Sequence, residues 1–309
     1  MKVFMTGGTG FVGTYLSRDL VQAGHDITIL TRRAQPPAPA QAGISYCTGD
    51  PTQEGPWMAL VPQHDWIINL AGASIFNRWT EAKKKEIMES RERTTRNLVT
   101  ALAAGDRRQL FCSTSAVGVY GARGEEELTE DSPTDAGFLG EVARTWETEA
   151  LKAQDLGVRV VITRFGVVLG RGGGALSQMV PLFKKFLGGP IGSGAQWFSW
   201  IHQADHARAF RFIQENPQIS GPVNFTAPNP VRNQELARAL GRVLHRPSFM
   251  PTPAFMLRLV LGEFGDTLLT GQKVFPKRLL DAGFTFEFPA IEAAFVEFGG
   301  GRHGFLPLN

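Results

Sequence analysis

The chain has 309 residues, 43% of them hydrophobic and 20% charged, with a net charge of +3. That is globular composition, long enough for one large α/β domain or two smaller ones. So small a basic excess, with no Lys/Arg run longer than the three at residues 83–85, argues against nucleic acid as a partner despite a pI near 9.0. No apolar stretch approaches the ~18 residues of a membrane span, and no signal-like segment precedes the first apolar run. A cytoplasmic protein without a membrane partner is expected. Its two cysteines, Cys47 and Cys112, read as reduced thiols within strands.

Strand-like runs fall at residues 2–6, 26–31, 44–48, 66–69, 110–113 and 158–164. Helical stretches lie between several of them, at 12–23, 80–104 and 138–156. Several strands are apolar throughout, as expected when both faces of a parallel sheet are covered. The alternation predicts an α/β fold: a Rossmann-type, doubly wound parallel sheet. The Pro/Ala-rich linker at 32–43 reads as irregular. After about residue 170 glycine-rich loops surround a helix, and the last ~75 residues look mainly helical. The predicted division is residues 1–230 for the nucleotide-binding part, with substrate-lobe segments after about 170, and 231–309 for a smaller helical segment.

The opening "MKVFMTGGTGFVGTYL" places Gly7, Gly10 and Gly13 every third residue between a strand and a helix. Such a turn, here carrying Thr9, lets backbone approach a pyrophosphate, and the helix start points free N–H groups at the anion. A carboxylate at the end of the second strand would mark an NAD site. That place holds Thr31, Arg32 and Arg33, and guanidinium groups suit a 2′-phosphate, so NADP is the predicted cofactor. Asp50 is placed to meet the adenine amino group. The small residues after Asn69, reaching Gly72, let backbone run along the cofactor.

These residues, with "NLAG", "STSAVGVYG" and "WIHQADHARA", resemble the extended short-chain dehydrogenase/reductases, the group of nucleotide-sugar epimerases and dehydratases. "SRERTT", "GVVLGRGGGAL", "GGPIGSGAQWFSWIH" and "GQKVFPKRLLDAGFTFEFP" are similar to an epimerase-like subgroup with a C-terminal segment of unknown function. The resemblance implies cofactor contacts at Gly7, Gly10, Phe11 and Val12 and a 2′-phosphate site at Thr31 and Arg32. It further implies contacts at Leu70 and Ala71, at Glu86 and Arg91 on the bordering helix, and at Gly166 and Val167 beside the nicotinamide.

The wider family catalyses with Tyr-x-x-x-Lys, whose lysine lowers the tyrosine pKa. No such pair exists among the three tyrosines of this chain. Aligning "WE" puts Leu139 and Ala143 at the two positions. The family hydroxyl four residues before the tyrosine of "VYG" is Ala116 here, with Ser115 one place earlier. A one-residue shift along a strand turns a side chain to the other face. Ser115, Tyr120 and Glu141 are the candidate catalytic residues, Glu141 on condition that helical spacing turns it toward the cleft.

His202 and His206 have the i, i+4 spacing of a metal pair but lack the Glu of a zincin, so no metal is expected. Asp205 is predicted to support free N–H groups at a helix start. Trp197, Phe198 and Trp200 read as a pocket wall or as cover for the sheet. Arg164 reads as an anion site or a cap on a buried network. The apolar run 252–261 reads as a helix packed on the substrate lobe or as a dimer surface. The expected activity is an NADP(H)-binding, epimerase/dehydratase-like oxidoreductase with a non-standard proton path, acting on a small molecule as a monomer or homodimer. A catalytically silent NADPH sensor is the alternative.

Overall fold

The computed structural model describes residues 1–33, 42–105 and 108–300. Most of the linker expected to be irregular lies outside the described residues. Strands β1 (Lys2–Thr6), β2 (Asp26–Thr31), β3 (Ile44–Thr48), β4 (Trp66–Asn69) and β5 (Leu110–Ala116) form with helices α1 (Phe11–Gln22) and α2 (Glu81–Leu102) between them. A short β6 (Glu127–Leu128) precedes α3 (Phe138–Leu151), β7 (Arg159–Phe165), β8 (Val167–Leu169) and α4 (Gly174–Lys184). Then come β9 (Trp197–Phe198), β10 (Trp200–His202), α5 (Gln203–Glu215), β11 (Gly221–Phe225), β12 (Val231–Arg232) and α6 (Asn233–Leu244). The chain continues through α7 (Ala254–Leu261), α8 (Glu263–Leu268), β13 (Lys273–Val274), α9 (Lys277–Asp281) and α10 (Ile291–Gly300).

The main sheet runs β11-β7-β5-β4-β1-β2-β3, every pairing parallel. Its strands are apolar along their length because each face meets a helical layer. Val3, Met5, Ile29, Ile68 and Cys112 pack with Leu16 and Leu20 of α1 and Phe210 and Ile213 of α5. Phe4, Leu30, Ile67 and Phe111, one step out of register, pack with Leu98 of α2 and Ala150 of α3. Burying each of these large side chains stabilises the fold by about 1.5–3 kcal/mol, so neither layer is dispensable.

The chain leaves β1 toward β2 and β3 on one side, and returns to β4 and β5 on the other. That reversal leaves a crevice at the carboxyl ends of β1 and β4. A second apolar core joins α4, α6 and α10 through Leu176, Phe183, Leu236, Leu240, Phe295 and Phe298. Asp205, fully buried at the start of α5, ties the C-terminal segment to the sheet. Its carboxylate accepts the backbone N–H groups of Glu287 and Phe288, each at 2.8 Å, and the Arg208 guanidinium at 2.7 Å. The N–H groups it satisfies therefore belong to that distant segment, a correction to the expected helix-start role.

Candidate functional site

The crevice at the strand reversal is a cavity of about 540 Å³. Gly7, Thr9 and Gly10 form its floor, and Thr31, Arg32 and Arg33 close the β2 side. Gly7 has φ +69°, and a Cβ there would stand 2.7 Å from the Leu70 carbonyl carbon, so only glycine fits. Gly10 is the N-cap of α1 and offers no side-chain acceptor to its first turn. The first N–H groups of the helix are therefore uncapped, next to Gly10 on the cavity wall, where an anion suits them. A Cβ on Gly10 would meet only the Gly7 carbonyl oxygen within 4 Å, at 3.3 Å, which leaves the approach open.

Eleven of the residues assigned from sequence to the cofactor line this one cavity: Gly7, Thr9, Gly10, Thr31, Arg32, Arg33, Asp50, Leu70, Ala71, Gly72 and Glu86. The guanidinium groups of Arg32 and Arg33 have no ion-pair partner among the described residues, and both residues are exposed. The nearby Asp50 Oδ1 is turned onto Thr52, accepting its N–H at 2.9 Å and its hydroxyl at 2.8 Å. Sequence reasoning missed Pro51, Thr52, Ala73, Glu89, Ser90, Arg93 and Thr94 on the same wall. Thr94 stands out among them: it is fully buried, and its hydroxyl has no hydrogen-bond partner among the described residues. The signal was the i, i+3, i+4, i+7, i+8 stripe along α2 that begins at Glu86, the residue already placed there, and ends at Thr94.

Six expected contacts fall outside the cavity wall. Gly13 is buried beneath the turn; a Cβ would stand 2.4 Å from the Gly7 carbonyl oxygen, so this glycine serves helix–strand packing. Phe11 packs on Gly173 and Gly174, and Val12 on the sheet core. Gly166 lies against the Ser199 carbonyl, which accepts the Val167 N–H at 2.9 Å. Arg91 stands behind the wall. It donates to the carbonyls of Ala73 at 3.1 Å and Ile87 at 3.0 Å, and its guanidinium stacks on Trp146 at 5.1 Å. Burial without a carboxylate pushes its pKa down to about 10.

The three candidate catalytic residues do not converge. Ser115 is buried and donates its hydroxyl to Glu147 Oε1 at 2.6 Å. Glu147 accepts Arg164 Nε at 2.9 Å and Nη2 at 2.8 Å in a bidentate pair. Arg164 Nη1 donates to the Tyr120 hydroxyl at 2.8 Å, which in turn donates to Asn224 Oδ1 at 2.7 Å. Tyr120 is completely buried, and burial pushes its pKa up to about 12, away from proton exchange near neutrality. Burial opposes the Arg164 charge, yet the Glu147 carboxylate outweighs it and holds that pKa above the ordinary arginine value. Ser115 and Tyr120 thus belong to a closed polar network, and Arg164 caps it, the second of its two expected roles.

Ala116, by contrast, is exposed at the end of β5, on the opposite strand face from Ser115. Leu139 and Ala143 stand on α3 where the family has its tyrosine and lysine; Leu139 packs with Phe138 in the apolar cluster of Trp79, Ile87, Val142 and Phe264. Glu141 is exposed in the first turn of α3, about 200° around the helix from Leu139. Its spacing therefore turns it to solvent, a correction to the condition attached to it.

The paired histidines are absorbed by packing. His202 Nδ1 accepts the Ala204 N–H and caps α5, and its ring stacks between Phe288 and Phe298. His206 sits among Phe165, Phe210 and Phe225. Burial pushes their pKa values down to about 4 and about 3, so both are neutral. Trp200 is buried in the second core, and Trp197 carries Arg232 on its face at 3.9 Å, so the aromatic triplet is cover.

A seven-stranded parallel sheet in this order, with a glycine turn at the strand reversal, defines a Rossmann-type protein. Residues 3–224 match the NAD dependent epimerase/dehydratase family, and the chain belongs to it. Residues 252–298 match a domain of unknown function, DUF1731. The chain is similar to the epimerase family protein YfhF of Bacillus subtilis, 41% identical over 95% of this chain and 96% of the relative. It is also similar to the chloroplastic SDR39U1 homolog of Arabidopsis thaliana, 42% identical over 95% of this chain and 85% of that one. A crystal structure of human epimerase family protein SDR39U1 (isoform 2) with NADPH superposes at a TM-score of 0.86. It is 35% identical, and the match covers 97% of this chain and all of that one.

Proposed function

We propose that this protein binds NADP(H) in the β1/β4 crevice and acts as an oxidoreductase of epimerase/dehydratase type on a small molecule. The observation that carries the reading is the pair Arg32 and Arg33, without carboxylate partners, in the same cavity as the open helix start. The residues present fit the cofactor. The Gly7–Gly10 turn accepts a pyrophosphate, the guanidinium groups accept a 2′-phosphate, and the unpartnered Thr94 hydroxyl awaits a polar ligand atom. A cavity of about 540 Å³ is of the size that small-molecule sites use. The NADPH in the human relative's crystal structure supports the same reading.

Bound NADP(H) supplies hydride chemistry; the chain's own residues bind, orient and exclude water. No Tyr–Lys pair serves the proton. Ser115 and Tyr120 act as positioning residues that hold the end of β5. Glu141, the one candidate with an exposed side chain, stands on the solvent side of α3. Fluorescence titration with NADPH and NADH tests the binding claim. Charge-assisted hydrogen bonds contribute about 1.5–3 kcal/mol each, so Arg32→Asp is expected to weaken NADPH roughly 10- to 100-fold relative to NADH. Equal affinity of the unaltered protein for the two would overturn the reading.

A silent cofactor sensor is the second reading, favoured by Leu139 and Ala143 at the relay positions. Tight NADPH binding with no oxidation across carbonyl and nucleotide-sugar panels would support it.

A further inference from the structure

Nine of the thirteen large hydrophobic residues that are exposed among the described residues fall in two short stretches, 182–187 and 246–261. α7 buries none of its eight residues, and Phe255 and Leu259 are 69% and 73% exposed on it. Phe249, 75% exposed, projects from the strap before it. The stretches adjoin: the Met250 N–H donates to the Gly188 carbonyl, and the Arg246 guanidinium covers the Phe186 ring at 4.8 Å. Phe186 is held outward with φ +63°, a left-handed conformation that a bulky residue adopts only at a cost. At roughly 100 Å² of open apolar surface per residue, the patch exceeds the ~300–600 Å² usual for the largest patch on a monomer.

We propose that this face docks on an anionic lipid bilayer. The two stretches contain Lys184, Lys185, Arg246 and Arg258 and no Asp or Glu; Arg258 is paired with Asp266 of α8 at 2.7 Å, so the positive charge of the face comes from the other three. Exposed Phe, Leu and Met interleaved with cations is the pattern that enters the headgroup region while its charges meet anionic lipid. A second copy fits less well, because a two-fold contact sets a patch against itself and brings these cations face to face. No helix among the described residues is long and apolar enough to span a membrane, so the contact is peripheral. At its far end Leu261 of α7 packs in the cluster containing Leu139, Phe138 and Trp79, which anchors the helix to the protein.

Vesicle flotation with the full chain tests the proposal. Phosphatidylcholine vesicles containing phosphatidylglycerol should float the protein at low salt and release it at high salt, whereas pure phosphatidylcholine should not carry it. Lys185→Ala should lower partitioning about fivefold. Phe255→Ser with Leu259→Ser should abolish it while leaving the melting temperature and NADPH affinity unchanged, because both side chains lie in solvent. Absence of flotation with anionic vesicles at low salt would overturn the proposal. So would a stable dimer, seen by light scattering, that the double serine variant splits, since the occupant would then be a second copy.

Discussion

Glu147→Gln separates a structural from a catalytic role for the residues around Ser115. The Glu147 and Arg164 side chains are 9% and 5% exposed, so their charges are cut off from water. The carboxylate accepts three hydrogen bonds: two from Arg164 and one from Ser115. Glutamine keeps the shape but presents one carbonyl oxygen and an NH₂ group that confronts the guanidinium. Arg164 is then a buried cation without a counterion, a state that costs about 3–5 kcal/mol. At roughly 2 °C per kcal/mol for a chain of this size, the melting temperature should fall by about 6–10 °C. Urea unfolding should give the same loss from its midpoint. NADPH affinity, measured well below the transition, should not change, because Gly7, Arg32 and Thr94 lie outside the network. Replacing both partners with methionine should recover most of the stability, since neither charge then remains. A loss under 1 kcal/mol for Glu147→Gln, or a double variant no better than the single, would refute the argument that the pair is dry and mutually dependent.

Thr94→Val removes a buried hydroxyl that has no protein partner, so stability should hold or rise while NADPH affinity falls several-fold; isothermal titration with thermal melts checks both. Gly13→Ala puts a methyl 2.4 Å from the Gly7 carbonyl oxygen; it should destabilise the fold by about 1–3 kcal/mol and weaken NADPH more than Thr94→Val does. His202 and His206 have folded pKa values of about 4 and about 3, below the unfolded value near 6.5. Above pH 6.5 both states are neutral, so nothing is lost. As pH falls toward 4 the unfolded chain takes up protons that the folded one refuses, and stability drops. Urea midpoints across that window should show the slope, and His206→Phe should flatten it. Asp205→Asn loosens the hold on the Glu287 and Phe288 N–H groups and should speed proteolysis of the C-terminal segment at native pH.

The strands from β1 to β4 are legible to the residue because their signal is local: short apolar runs bounded by turn formers, in an order that only a parallel sheet accommodates. The crevice was legible for the same reason. Gly7, Gly10, Thr31 and Arg32 sit at the ends of elements, and the ends of parallel strands meet at the reversal wherever the elements form. The missing Tyr-x-x-x-Lys was likewise plain from three tyrosines and their neighbours. So was the one-residue shift at β5, since strand period alone turns Ser115 away from the face that carries Ala116.

Direction and partnership were a different matter. Tyr120 reads as a loop tyrosine near a ligand, but β7, β11 and α3 bring Arg164, Asn224 and Glu147 around it, residues up to 104 positions away. Glu141 and Glu147 share one helix and one chemistry; only the packing of α3 sends the first to solvent and the second into the protein. Asp205 likewise meets its partners 82 and 83 residues downstream. Sequence by itself determined the sheet, the glycine turn and the cationic end of β2, because backbone propensity and spacing act over a few residues. Tertiary structure alone decided which polar side chains face the cleft and which are spent on one another, because burial and hydrogen bonding are settled between segments far apart in the chain.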